Sequence, residues 1–118
     1  DLGGADLSLT DLSGADLSGA DLSNADLSLA ELSNVNLSGA DLSGADLGRA
    51  DLSVADLTNA DLRGADLTDA DLTNADLRSA NVYAARLDRI SIYESVKQHA
   101  SLSELIKKGV VREPERED

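Results

Sequence analysis

Carboxylates are the side chains in this sequence with the most chemistry to offer, and their spacing is what first restricts it. An acid recurs every five residues at Asp1, Asp6, Asp11, Asp16, Asp21, Asp26, Glu31, Asp41 and Asp46 and on to Asp76, with Asn36 the one neutral member of the run. Acid–base catalysis needs two carboxyls held in unlike environments, whereas an even ladder gives every member the same one. His99 is the only histidine and there is no cysteine, so disulfides, thiolate metal sites and a His–Cys pair are excluded. The serines of the repeat are corner residues beside a core leucine and have no base, and no G-x-S-x-G turn occurs. These residues predict no enzyme and no cofactor. The chemistry left to an acid ladder is to accept hydrogen bonds, to keep the surface soluble and to attract cations.

The acids belong to a word, and the word defines the element that carries them. From Asp11 to Ala80 the sequence repeats one five-residue word fourteen times, in its commonest form Asp-Leu-Ser-X-Ala. Leu recurs from Leu12 to Leu77 without a miss, and Ala from Ala15 to Ala80 with Val35 the one replacement. A period this short is the mark of a stacked repeat. Ala and Leu flank the charged Asp, which is the in-out-in pattern of a short strand. Ser-X then supplies a corner, since X is often Gly or Asn, residues that tolerate positive φ. A helix fails, because a five-residue step of about 140° scatters the leucines over every face.

The X residues count the corners in one coil. Steps of twenty collect Gly4, Asn24, Gly44, Gly64 and Ala84 in one column, and Gly19, Gly39, Asn59 and Ser79 in another. Gly14, Asn34, Val54 and Asn74 fall in a third, while Leu9, Leu29, Arg49, Asp69 and Arg89 fall in a fourth without Gly or Asn. Steps of fifteen mix these kinds. The columns imply four sides per coil and about four and a half coils. They also predict positive φ in the Gly4 and Gly19 columns and negative φ at Leu9, Leu29, Arg49, Asp69 and Arg89, where a Cβ makes the left-handed region costly.

Words such as Ala15-Asp16-Leu17-Ser18-Gly19 resemble the pentapeptide-repeat proteins, over about Asp1 to Ile92. The resemblance implies an all-β solenoid, a right-handed, four-sided (quadrilateral) β-helix with Leu and Ala inward. It also implies a family common in cyanobacteria and other bacteria, present in chloroplasts, mostly without known activity. One branch of that family mimics DNA and acts on gyrase.

The remainder of the chain departs from the word. Residues 1–92 are read as the repeat domain. Residues 93–109 change to helical spacing, with Ser101 three before Glu104 as a capping box and Gly109 as a stop, and are read as a short helical cap. Residues 110–118 are read as a disordered charged tail. Tyr83 and Tyr93 are expected to pack between the last coil and the cap, and Thr10 to bond its hydroxyl within the first corner. The chain begins in register at Asp1 without Met, as a trimmed or processed piece would. No apolar run is long enough to span a membrane, and a cytoplasmic location is expected, or the thylakoid lumen or periplasm if a signal was removed.

Charge decides among partners. Acids outnumber Lys and Arg by 23 to 10, a net −13, which argues against nucleic acid and anionic membranes and for an unidentified, basic protein partner. Residues 1–48 hold nine acids and neither Lys nor Arg; Arg49, Arg63, Arg78, Arg86 and Arg89 enter afterwards and are expected to reach Asp of adjacent pentads. The candidate contact residues are Leu9 and Leu29, stacked on one edge, together with Asp1, Asp6, Asp11 and Asp16. The leucines read either as an ordinary exposed pair or as a contact for a partner, a second copy or a lost cap. An uncovered first coil is a strand edge, so weak end-to-end pairing of two N-terminal coils is expected. The favoured function is a non-enzymatic structural or protein-interaction solenoid. The alternatives are DNA mimicry directed at gyrase, since about one charge per 1.3 Å of rod compares with about one per 1.7 Å of duplex, and weak calcium binding on stacked carboxylates.

Overall fold

The structure, a computed structural model, describes residues 1–89. The words from Ile90 to Ile92, Tyr93, the expected cap and the tail lie outside the described residues. Within 1–89 every word repeats one hydrogen-bonding scheme. Parallel bridges join Asp6 to Asp26, Asp26 to Asp46 and Asp46 to Asp66, and each other acid column likewise. The register is twenty residues, so four words make one coil, as the X columns imply.

Each of the five backbone N–H positions of a word has an acceptor, as seen at Leu22 to Ala25 and, for the acid's own N–H, at Asp41 one coil on. Leu22 N–H donates to Asp41 C=O on the next coil (2.8 Å), Asn24 N–H to Ser43 C=O (2.9 Å), and Asp41 N–H to Ala20 C=O on the previous one (2.9 Å). Ala25 N–H closes the corner on Leu22 C=O (3.1 Å). The remaining donor, Ser23 N–H, is taken by Asp21 Oδ1 at 3.0 Å, and the Ser23 hydroxyl donates to the same oxygen at 2.7 Å. Each strand is therefore too short to satisfy itself, and stacking completes it.

The corner scheme corrects one expectation. Positive φ occurs at X in every word, including Leu9 (62°), Leu29 (60°), Arg49 (59°), Asp69 (62°) and Arg89 (55°), which were expected to be negative. The Ala-to-Leu bond closes a type II turn, whose third residue must be left-handed. The X N–H must also point along the stack to the next coil. Both demands act on the backbone, so side-chain preference yields to them.

Leu and Ala fill the interior. From Leu22 to Leu72 every inward leucine is at most 1% exposed, and Val35 is fully buried in its alanine column. Leu7, Leu12 and Leu17 are partly buried against this core, and Leu2 is 39% exposed. The Thr10 hydroxyl donates to Ser8 C=O at 3.4 Å, within its own corner as expected. Tyr83 differs from expectation. It occupies the outward corner position of Ser in the word and is 66% exposed.

Candidate functional site

The acid ladders are first of all structural. In every word from Asp1 to Asn81 except the one at Glu31, the carboxylate or amide Oδ1 accepts the N–H two residues on. Asn36 does this as well as Asp, taking the Ser38 N–H at 3.0 Å and hydroxyl at 2.7 Å. The geometry thus needs an oxygen at that reach, and the negative charge is additional. Glu31 has one methylene too many, and Ser33 N–H gains no such bond.

The charge has consequences of its own. The Ser8 hydroxyl, then the Ser8 N–H, hold the Asp6 carboxyl below the usual carboxylate range, with burial opposing weakly. Asp11, Asp16 and Asp21 are lowered in the same way by Ser13, Ser18 and Ser23. Asp6, Asp16 and Asp26 use only Oδ1 for these bonds, so Oδ2 has no hydrogen-bond donor among the described residues.

After residue 48 arginines pair with part of the ladder, at Asp61, Asp66 and Asp76. Arg63 and Arg78 replace Ser and close on the Asp of their own words, Arg63 Nη2 to Asp61 Oδ2 at 2.6 Å and Arg78 Nη2 to Asp76 Oδ2 at 2.6 Å. Sequence reasoning sent these arginines to adjacent pentads. They stay home because the Ser position already sits over its own Asp, and their backbone N–H keeps the bond Ser would make. Arg63 first, with its side-chain hydrogen bond, lowers the Asp61 carboxyl, and the same bond raises the guanidinium of Arg63, as Asp76 does that of Arg78. The other arginines do cross coils. Arg89 Nε meets Asp69 Oδ1 at 2.8 Å, Arg49 Nε lies 4.0 Å from Asp69 and Arg86 3.9 Å from Asp66.

The six candidate residues are not brought to one point. Asp1, Asp6, Asp11 and Asp16 start four different acid columns, one on each face of the first coil. Leu9 and Leu29 do share a corner on consecutive coils, with Leu9 N–H bonded to Ser28 C=O, and are 74% and 47% exposed. Asp6 and Asp11 are the acids of the two words that meet at that corner. Sequence reasoning missed that this column continues as the ion-paired Arg49–Asp69–Arg89, although the twenty-residue sort had placed all five together. Among the described residues no group of three or more His, Asp or Glu side chains is arranged to hold a metal ion, so the calcium reading finds no site there. Nor is any described helix long and apolar enough to cross a membrane.

The family model described as pentapeptide repeats matches residues 1–28, 30–69 and 55–91 in 8 copies. A pentapeptide repeat protein from Nostoc PCC 7120 is 46% identical over 68% of this chain and 66% of its own, with a TM-score of 0.67. One from the Arabidopsis thaliana thylakoid lumen is 30% identical over 91% of this chain and 74% of its own, with a TM-score of 0.54. The plasmid-mediated fluoroquinolone resistance protein QnrB1 is 23% identical over 68% of this chain and 44% of its own at a TM-score of 0.54, a likeness of fold alone. The chain thus spans 66% of the Nostoc protein's length. No curated protein matches it.

Proposed function

The chain belongs to the pentapeptide-repeat family, whose members fold as right-handed four-sided β-helices, and on that premise we propose that it is a non-enzymatic interaction solenoid whose acidic N-terminal coils dock a basic protein surface. One observation carries this reading. The two halves share a backbone, yet residues 1–48 hold nine acids and no Lys or Arg, while the described arginines beyond them lie against acids. An uncompensated field attracts a partner of opposite sign and sets its orientation.

The test uses the tolerance for Asn seen at Asn36. Asp6, Asp11, Asp16 and Asp26 are changed to Asn in one variant, and Asp51, Asp56, Asp66 and Asp71 in a second. Both keep the corner oxygens and remove the same charge. Binding of lysozyme, a basic probe protein, to the full chain is measured calorimetrically. The reading expects the first variant to weaken binding more than the second; equal weakening would sink it.

DNA mimicry directed at gyrase is the second reading, and the density of the ladder favours it. The length of uncompensated ladder counts against it. Coils stack about 4.8 Å apart, so residues 1–48 supply roughly 12 Å, about three to four base pairs of duplex at 3.4 Å each. A gyrase supercoiling assay separates the two, since inhibition or protection by the full chain supports mimicry.

Weak end-to-end pairing through the first coil stands as a lesser proposal. Its support is the partly exposed Leu2, Leu7, Leu12 and Leu17, with the like charges of Asp1, Asp6, Asp11 and Asp16 opposing it. Sedimentation at low and high salt tests it, with a dimer fraction that rises with salt as the expected result.

A further inference from the structure

We infer that the corner column carrying Leu9 and Leu29 is a docking edge for a basic amphipathic helix of a partner protein. This rests on the reading of the N-terminal coils as an interaction surface and names where on them the partner sits. The first observation is the column contrast. Every described corner requires left-handed backbone at X. Three columns meet that requirement mostly with Gly or Asn, the exceptions being Val54, Ser79 and Ala84; this column uses neither at any of its five positions. The backbone demand is the same at all corners, so it does not explain the choice. A Cβ in this conformation is unfavourable, and bulky side chains kept there point to a use for the side chains themselves.

The lower part of the column has a local use. Arg49, Asp69 and Arg89 are joined by ion pairs. Leu9 and Leu29 have no such explanation. They lie outside the core, 74% and 47% exposed.

Their spacing and surroundings select the partner. Consecutive coils lie about 4.8 Å apart. That matches side chains three or four apart on a helix, about 5–6 Å between Cβ atoms, better than same-face residues of a strand at about 6.6 Å. The two leucines stand between the column of Asp6 and Asp26 and the column of Asp11 and Glu31, with no Lys or Arg before Arg49. A helix with an apolar ridge at i and i+4, flanked by Lys or Arg, complements both the leucines and the carboxylates on either side. An apolar contact between charged rows also fixes register, which the acids alone do not.

The strain supplies a test that separates docking from packing. The full chain is titrated at about 0.15 M salt with a synthetic helical peptide bearing Leu at i, i+4 and i+7 and Lys elsewhere. A second peptide has Ala in place of each Leu. The same titrations are made on Leu9→Asn/Leu29→Asn. The inference expects the Leu peptide to bind the unaltered chain at least about tenfold tighter than the Ala peptide. It expects that difference to vanish in the double variant, whose melting temperature is unchanged or higher because Asn suits the corner. A double variant that still discriminates the peptides overturns the docking edge and leaves the acidic-surface reading standing. A lowered melting temperature also overturns it, since the leucines would then be packing residues. Failure of both peptides to bind overturns the edge and the acidic-surface reading together.

Discussion

Residues 1–48 and 49–89 are the same molecule inside and different molecules outside. Leu27 and Leu67 are both fully buried, and their words carry the same corner bonds, Ala30 to Leu27 at 3.1 Å and Ala70 to Leu67 at 2.9 Å. Outside, the first half presents carboxylates with no Lys or Arg beside them in sequence, and the second half pairs Asp61, Asp66 and Asp76 of its ladder with arginine. Interior positions are fixed by stacking, because each must fit the coil before and after it. Exterior positions meet no such condition and are free to carry function. In a solenoid this regular, a partner surface is to be sought where neighbouring halves differ.

The largest expected effect tests whether the interiors are equal. Leu37→Ala and Leu57→Ala each remove a fully buried side chain and should each cost about 2–5 kcal/mol, agreeing within about 1 kcal/mol. Val35→Ala should be nearly neutral, since it restores the residue of its column. Denaturant unfolding checks all three, and a large gap between the leucine variants would break the comparison.

Acid titration comes next, because several groups act together. Asp6, Asp11, Asp16 and Asp21 have their folded pKa lowered by serine hydroxyls and N–H groups. A lowered carboxyl contributes stability above its unfolded pKa, about 3.9, and loses it as pH falls through the folded value. The melting temperature should therefore fall below about pH 4, and fall less when Asp6 and Asp16 are Asn. Melting curves from pH 7 to pH 2 read this.

Two smaller effects sharpen the view of the corners. Gly44 and Gly64 share a column and a φ of +68° and +67°, but a Cβ on Gly44 would strike Asn24 Oδ1 while one on Gly64 meets open space. Gly64→Ala should cost about 1–2 kcal/mol from the left-handed backbone alone, and Gly44→Ala at least as much, with the Asn24 amide turning aside. Glu31→Asp should gain about 0.5–1.5 kcal/mol by giving Ser33 N–H the acceptor it lacks. Both are read by thermal unfolding.

Much of this was legible in the sequence, and each error has a physical cause. The four-sided coil follows from sorting X by twenties, because stacked corners share an environment and select alike. The same reasoning failed at Leu9, Leu29, Arg49, Asp69 and Arg89, where residue type was taken to set φ. Hydrogen bonding along the stack overrides the local preference of a leucine or an arginine. The partners of Arg63 and Arg78 were misread because the word shows which residues are outward but not that Ser lies directly over its own Asp. The cap expected over 93–109 lies outside the described residues.

The central claim is that the exterior of the first half is the partner surface. Backbone amide chemical shifts of the full chain, followed during titration with the leucine–lysine helical peptide, test it residue by residue. The account predicts shift changes concentrated at Asp6 to Asp11 and Asp26 to Glu31, around Leu9 and Leu29, with residues 49–89 little affected. Changes spread evenly over both halves, or centred on the Arg49–Asp69–Arg89 column, would contradict it.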